Sequence, residues 1–385
     1  MKKMIQKISS YLDQPIVFLL VVGVGIFLGD GKQPAVDAFF AISIVLLFGW
    51  ALYKKQIHSL PRPLFFSWSA LLVYNFALIF FSDSPGFSVT TVMRLFMAFF
   101  VFVYGYSFSE KIETKKMENI LLGIISVSCL VSFALLFFPD FARILPLMNL
   151  LYPTYGHNHI VDLLLFGIPI GLYRYVETKD KKILFLLILF FVTLIFSFAR
   201  GAIALVGVFV LLFARRNKSY RKPLLLLFGF IVVLLIGVSM VGKLDIPMFG
   251  NYKISITKPR LLQDGRFEYW RQALVATRER PWFGFGPGTF SLESRRLQAR
   301  PGSYSWFAHS FPLEILVETG VVGFVLFVTV GWMIIKNMRG EKENKGVLWA
   351  IGLTLLYSLF EFNLSYISIF LLVVFFLGLN SRWEK

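Results

Sequence analysis

The stretch Ile183–Ala214, ILFLLILFFVTLIFSFARGAIALVGVFVLLFA, decides the fold. Read as one helix, it carries Arg200 in its middle and puts its two flanking basic clusters on opposite sides of a membrane. Read as two helices turning at Arg200-Gly201, it keeps Lys179, Lys181 and Lys182 on the same side as Arg215, Arg216 and Lys218. Short loops rich in Lys and Arg stay in the cytoplasm, so the second reading is preferred and Arg200 falls at the outer end of a tight hairpin. The two arms provide only roughly 24 and 21 Å of helix against about 30 Å of hydrocarbon, which recesses the turn below the membrane surface.

The same alternation extends along the chain in both directions. Apolar segments recur near Pro15–Gly29, Ala35–Tyr53, Leu64–Phe81, Val89–Phe108, Ile120–Phe138, Ile160–Val176, Pro223–Val241, Ser310–Ile335, Val347–Phe362 and Ile367–Leu379. With the two arms of the hairpin they predict an all-α, polytopic integral membrane protein of about twelve transmembrane helices, one membrane domain over residues 1–385. Every second connection is basic, as at Lys54-Lys55, Lys115-Lys116 and Lys336–Lys345, which puts both termini in the cytoplasm. The basic start Met1–Lys7 precedes an apolar run with no small-x-small cleavage pattern after it, so it reads as an uncleaved first span. With 57% hydrophobic and 16% charged residues, a soluble globular protein is excluded, and a net charge of +17 reflects orientation rather than nucleic-acid binding. A single cysteine, Cys129, excludes a disulfide framework or a cysteine-based metal site.

Residues 242–308 form a long extracytoplasmic loop between the ninth and tenth helices, with eleven Lys and Arg against five Asp and Glu. A loop of this length escapes the orientation rule, so its positive charge calls for another account, and an anionic ligand is one. Within it, Asp264–Arg280 reads as a helix with Asp264 as N-cap, Phe267, Trp270 and Leu274 at helical spacing, and Pro281 as terminator. Arg266 then lies in the first turn, where the dipole disfavours a cation unless an anion docks on the free N–H groups; pairing with a nearby acid is the plainer alternative. Gly284-Phe-Gly-Pro-Gly288 lacks the strand and βαβ unit of a nucleotide loop and reads as a turn that shapes a site. His309, at the start of the next helix with Glu314 and Glu318 beyond it, is either a general base for a sugar hydroxyl or a helix-start anchor. His157 and His159 read as helix-capping residues rather than metal ligands. Asp37, Arg94 and Asp162, costly in lipid, should face the bundle, with Asp–Arg pairing expected.

Three stretches together resemble the bacterial O-antigen ligase and O-antigen polymerase superfamily: Phe196-Ser-Phe-Ala-Arg-Gly-Ala202; Gly265-Arg-Phe-Glu-Tyr-Trp270 continuing to Gly288; and His309-Ser310 followed, after nine residues, by Gly320-Val-Val-Gly323. The resemblance implies a membrane glycosyltransferase at the outer face of the bacterial cytoplasmic membrane. It moves a glycan from undecaprenyl diphosphate to an acceptor hydroxyl on a glycan, lipid or protein, with inversion and with neither metal nor nucleotide cofactor. By the same resemblance Arg200 and Arg266 bind the donor diphosphate and His309 is catalytic, with Arg260, Arg271 and Glu314 as accessory candidates. Fixed guanidinium groups suit a leaving diphosphate whose charge grows as the glycosidic bond breaks. The polymerase pattern of two long arginine-rich loops is missing, since Pro139–His159 holds only Arg143, which favours a ligase over a polymerase. A twelve-helix transporter is the rival from another class, set back by the absence of an evident internal repeat.

Overall fold

A computed structural model describes residues 15–28, 34–109, 114–137, 160–197, 199–240, 243–247, 253–257, 265–338 and 345–381. A helix stands on each of the twelve apolar segments read above: α1 (Ile16–Leu28), α2 (Pro34–Tyr53), α3 (Arg62–Leu78), α4 (Pro85–Ser107), α5 (Thr114–Phe137), α6 (Ile160–Thr178), α7 (Lys181–Phe196), α8 (Arg200–Arg216), α9 (Arg221–Met240), α12 (Phe311–Lys336), α13 (Lys345–Tyr357) and α14 (Ile367–Asn380). Two more, α10 (Arg266–Glu279) and α11 (Phe290–Arg296), belong to the long loop. Among the described helices, α2, α3 with its 3-10 extension to Phe81, α4, α5 and α12 are long and apolar enough to cross a membrane. Large apolar side chains such as Ile42, Val45, Leu46, Phe66 and Val73 are exposed along them, as hydrocarbon-facing surfaces require. The protein is a helical membrane protein.

One element departs from the all-helical expectation. Lys243–Pro247 (β1) and Lys253–Thr257 (β2) pair antiparallel, with Leu244 opposite Ile256 and Ile246 opposite Ile254. The alternation Leu-Asp-Ile and Ile-Ser-Ile is the period-2 signal that a search for helical spacing passes over.

The chain divides into two compact units. The first contains residues 1–120, 265–344 and 358–385. In it α4 and α14 cross with their backbones in near contact: a Cβ on Gly378 would lie 2.4 Å from the Phe102 carbonyl oxygen, so only glycine permits the approach. Beside this crossing Arg94 donates to Asp37 through Nε at 2.7 Å and through its terminal nitrogen at 3.0 Å, and also to the Ser365 carbonyl. Both partners are largely withdrawn from solvent, and the expected Asp–Arg pairing is present.

The second unit contains residues 121–264 and 345–357. Here α6 packs on α7 and α13, α8 packs on α9, and Phe209 meets Trp349 with ring centroids 5.2 Å apart. Asp162 is fully buried, as expected of an acid in an apolar segment. The helix is broken where the sequence placed the break: α7 ends at Phe196, Ser197 Oγ donates to the Leu194 carbonyl and accepts from the Ala199 N–H, and α8 begins at Arg200.

Removing one partner of the Arg94–Asp37 pair leaves an uncompensated charge inside the bundle. Asp37→Ala is expected to lose about 3–5 kcal/mol, while the double substitution Asp37→Leu with Arg94→Met recovers most of it. Thermal unfolding of the purified protein in detergent measures both.

Candidate functional site

The site in the first unit is built on a broken helix. Within α12, Gly320 has φ 64° and ψ −172°, a conformation essentially restricted to glycine. The break releases the carbonyls of Val317 and Glu318, which accept from the N–H groups of Phe285 and Gly286 at 3.0 and 2.8 Å. In return the N–H groups of Val321 and Val322 donate to the carbonyls of Pro281 and Trp282. The loop backbone thus satisfies polar groups that a break inside this apolar helix would leave unpaired. Gly284, Gly286 and Gly288 all have positive φ, and a Cβ on Gly284 would stand 2.5 Å from the Glu318 backbone. The glycine loop is therefore a dock between loop and helix, in keeping with its reading as a turn that shapes a site.

On this dock rest α10 and α11. Ala273 and Ala276 of α10 are buried with Phe285, Phe290, Ala308 and Val317. Phe267 and Leu274, whose spacing signalled the helix, are 62% and 48% exposed and lie off the packed face. Small alanines permit the close approach, and the large apolar residues are left on the outside, as an interfacial helix leaves them. The helix ends at Glu279 before Pro281, and it starts at Arg266 with Gly265 in the capping position. Asp264, the expected cap, lies outside the described residues, as do Arg260, His157 and His159.

Arg266 and His309 come together through a residue the sequence reading did not select, Glu361. One oxygen of its carboxylate accepts from the Arg266 guanidinium, and the other lies 2.8 Å from His309 Nδ1. Glu361 is 6% exposed in its side chain, Arg266 32% and His309 21%, so a buried carboxylate holds two partly accessible groups. The dipole conflict of an arginine in the first turn of α10 is relieved by this acid, the plainer of the two alternatives, although the acid is buried rather than solvated. When Nδ1–H donates to an ionised Glu361, the neutral imidazole has its lone pair on Nε2. Among the described residues no hydrogen bond reaches Nε2.

Packing fixes the imidazole further. The Tyr269 ring stacks on it at 5.4 Å between centroids, Phe362 meets it edge-on at 4.6 Å, and Trp270 Nε1 donates to the His309 carbonyl at 3.1 Å. His309 itself has φ 50°, a left-handed conformation that costs a non-glycine residue about 1–3 kcal/mol and is kept where surrounding contacts enforce it. Glu314 is one source of those contacts: it accepts from the Ala308 N–H at 3.1 Å and from Ser365 Oγ at 3.2 Å. It thus holds the chain on either side of the site. Arg271 is engaged elsewhere, bonded through two nitrogens to Glu268 and to the Leu297 carbonyl. Arg296 pairs with Glu293 and Glu279 within the loop, and Arg280 pairs with Asp83 and so ties the loop to the connection between α3 and α4. Arg200 stands in the second unit as the first residue of α8, half-buried, so it shares with Arg266 a place at a helix N-terminus.

Residues 185–328 match the family described as O-antigen ligase. Over that segment the chain is similar to the O-antigen ligase family. The match covers well under half of the chain, but it contains all three motifs and supports the superfamily to which they pointed. No curated protein matches the sequence at a significant level. Glu361 lies beyond the matched segment. Its signal was nevertheless present, since it is the sole acidic residue between Gly346 and Ser381, at the end of an apolar run where an acid persists only when paired.

Two expectations follow from this geometry. Gly320→Ala puts a Cβ 2.3 Å from the Trp282 backbone in a conformation alanine avoids. It should lower stability by at least about 2 kcal/mol and open residues 281–288 to limited proteolysis. The second concerns acid. Its bonds to Arg271 hold the Glu268 carboxyl at about 2, against burial and with help from Gln272 and the Ala299 N–H, where an ordinary glutamate titrates near 4.5. A lowered value stabilises the fold above the ordinary range and loses that contribution as pH falls through the lowered one. The melting temperature of wild type should therefore exceed that of Glu268→Gln at about pH 5, and the gap should close towards about pH 2.

Proposed function

We propose that the protein is an O-antigen ligase-type glycosyltransferase of the bacterial cytoplasmic membrane. It transfers a glycan from undecaprenyl diphosphate to an acceptor hydroxyl at the outer face, with both termini in the cytoplasm. One observation carries the reading: a histidine tied through a buried carboxylate to an arginine at a helix N-terminus, both within the O-antigen ligase segment.

The chemistry follows from the groups present. His309 Nε2 takes the proton of the acceptor hydroxyl while its oxygen attacks the anomeric carbon of the donor. The bond from that carbon to the diphosphate oxygen breaks, and its electron pair leaves with the diphosphate. A single in-line displacement inverts the anomeric centre. Negative charge grows on the departing diphosphate, so guanidinium groups of Arg266 and Arg200, each the first residue of its helix, stabilise the transition state more than the bound donor. Within the second unit a cavity of about 600 Å³, lined by apolar residues including Leu184, Phe191, Leu224 and Phe230, is of a size and character suited to a hydrocarbon chain.

The test is transfer by the purified protein, in EDTA, from an undecaprenyl-diphosphate glycan to a panel of acceptors, following released undecaprenyl diphosphate and product size. Release coupled to one added glycan block is expected. A ladder of lengths would instead indicate a polymerase, and lipid-linked glycan crossing proteoliposomes without release would indicate a transporter. His309→Ala should reduce transfer at least about 100-fold with donor binding retained, and Arg200→Ala and Arg266→Ala should each cost about 100- to 1,000-fold.

A further inference from the structure

Glu361 touches both groups to which the proposed function assigns separate tasks, and its two oxygens divide between them. We propose that Glu361 is a positioning residue that couples donor binding to the readiness of the base. Without donor, its carboxylate stands in for the diphosphate at Arg266 while it holds His309 Nδ1. When the diphosphate arrives it competes for the Arg266 guanidinium, whose side chain is about a third exposed and so open to a second anion. Glu361 is only 6% exposed and is anchored by its neighbour, since its Oε1 also accepts from the Phe362 N–H at 3.3 Å. It therefore stays in place, and its negative charge, relieved of the arginine, bears more strongly on His309. The imidazole becomes the better proton acceptor only once the leaving group is seated.

The inference rests on the reading of Arg266 as a diphosphate ligand and His309 as the base. It makes a prediction that a purely structural role for Glu361 does not make. In Glu361→Gln the amide keeps a hydrogen-bond acceptor for Nδ1–H but no longer competes as an anion. Undecaprenyl diphosphate should then bind about tenfold more tightly while kcat for transfer falls at least about tenfold. The tightening should vanish in the double variant Arg266→Ala with Glu361→Gln, because the competition is for Arg266. Folding is checked by melting temperature. A measurement on the wild-type protein needs no change at Glu361: the chain has four histidines, and with 15N-labelled histidine the His309 ring signals, assigned by their loss in His309→Gln, should shift on adding undecaprenyl diphosphate. Unchanged or weaker binding in Glu361→Gln, with Arg266→Ala still impairing binding, overturns the coupling and leaves the functional reading intact. Affinity unaffected by Arg266→Ala overturns both. If Glu361→Gln does not fold, the wild-type signal decides alone, and a His309 resonance that stays still on saturation with undecaprenyl diphosphate overturns the inference.

Discussion

A helix broken inside an apolar segment must have its freed backbone groups satisfied, and that constraint organises the site. At Gly320 the satisfaction comes from the glycine loop, whose N–H groups and carbonyls knit into the two halves of α12. This contact sets where the loop enters the bundle. From it follow the seat of α10 on Ala273 and Ala276, the height of Arg266, and the turn that carries His309 into the next helix. The glycines are thus structural: Gly284 and Gly320 let the loop and helix backbones meet, Gly286 makes room for Ser82, and the chemistry is carried by residues that the dock places.

A second constraint is electrostatic. A carboxylate as buried as Glu361 is unfavourable unless positive charge and hydrogen bonds surround it. Arg266 and His309 supply them, and each is in turn oriented by the acid. The Arg94–Asp37 pair shows the same physics without accessible chemistry: both of its members are largely enclosed, whereas Arg266 and His309 keep a face towards solvent. Partial exposure on one side of a buried charge separates a site from a strut.

Much of this was legible from residue types and spacing. Apolar runs bounded by basic loops located the helices, because lipid imposes length and composition on any segment that crosses it. The break between α7 and α8 was readable from the charges on its two flanks, and the Asp37–Arg94 pair from the cost of either residue alone in lipid. Arg266 and His309 were singled out by motif and by the oddity of a cation at a helix start. The β1–β2 hairpin was passed over because its alternation is short and lies in a loop read for helices, and the packed face of α10 was not legible because alanines carry little hydrophobic signal of their own.

Sequence by itself determined a helical membrane chain, its apolar segments, its long basic loop and the residue types able to handle a diphosphate and a hydroxyl, since these follow from composition and local periodicity. Only the tertiary structure decided which charges meet. Glu361 lies 52 residues from His309 and 95 from Arg266, and no local pattern links them. Their meeting depends on α12 breaking at Gly320, on the loop folding back against that break, and on the connection after α13 returning an acid to the same place. Long-range pairing of this kind is fixed by packing and by the energetic need to compensate a buried charge, neither of which is written in the spacing of neighbouring residues.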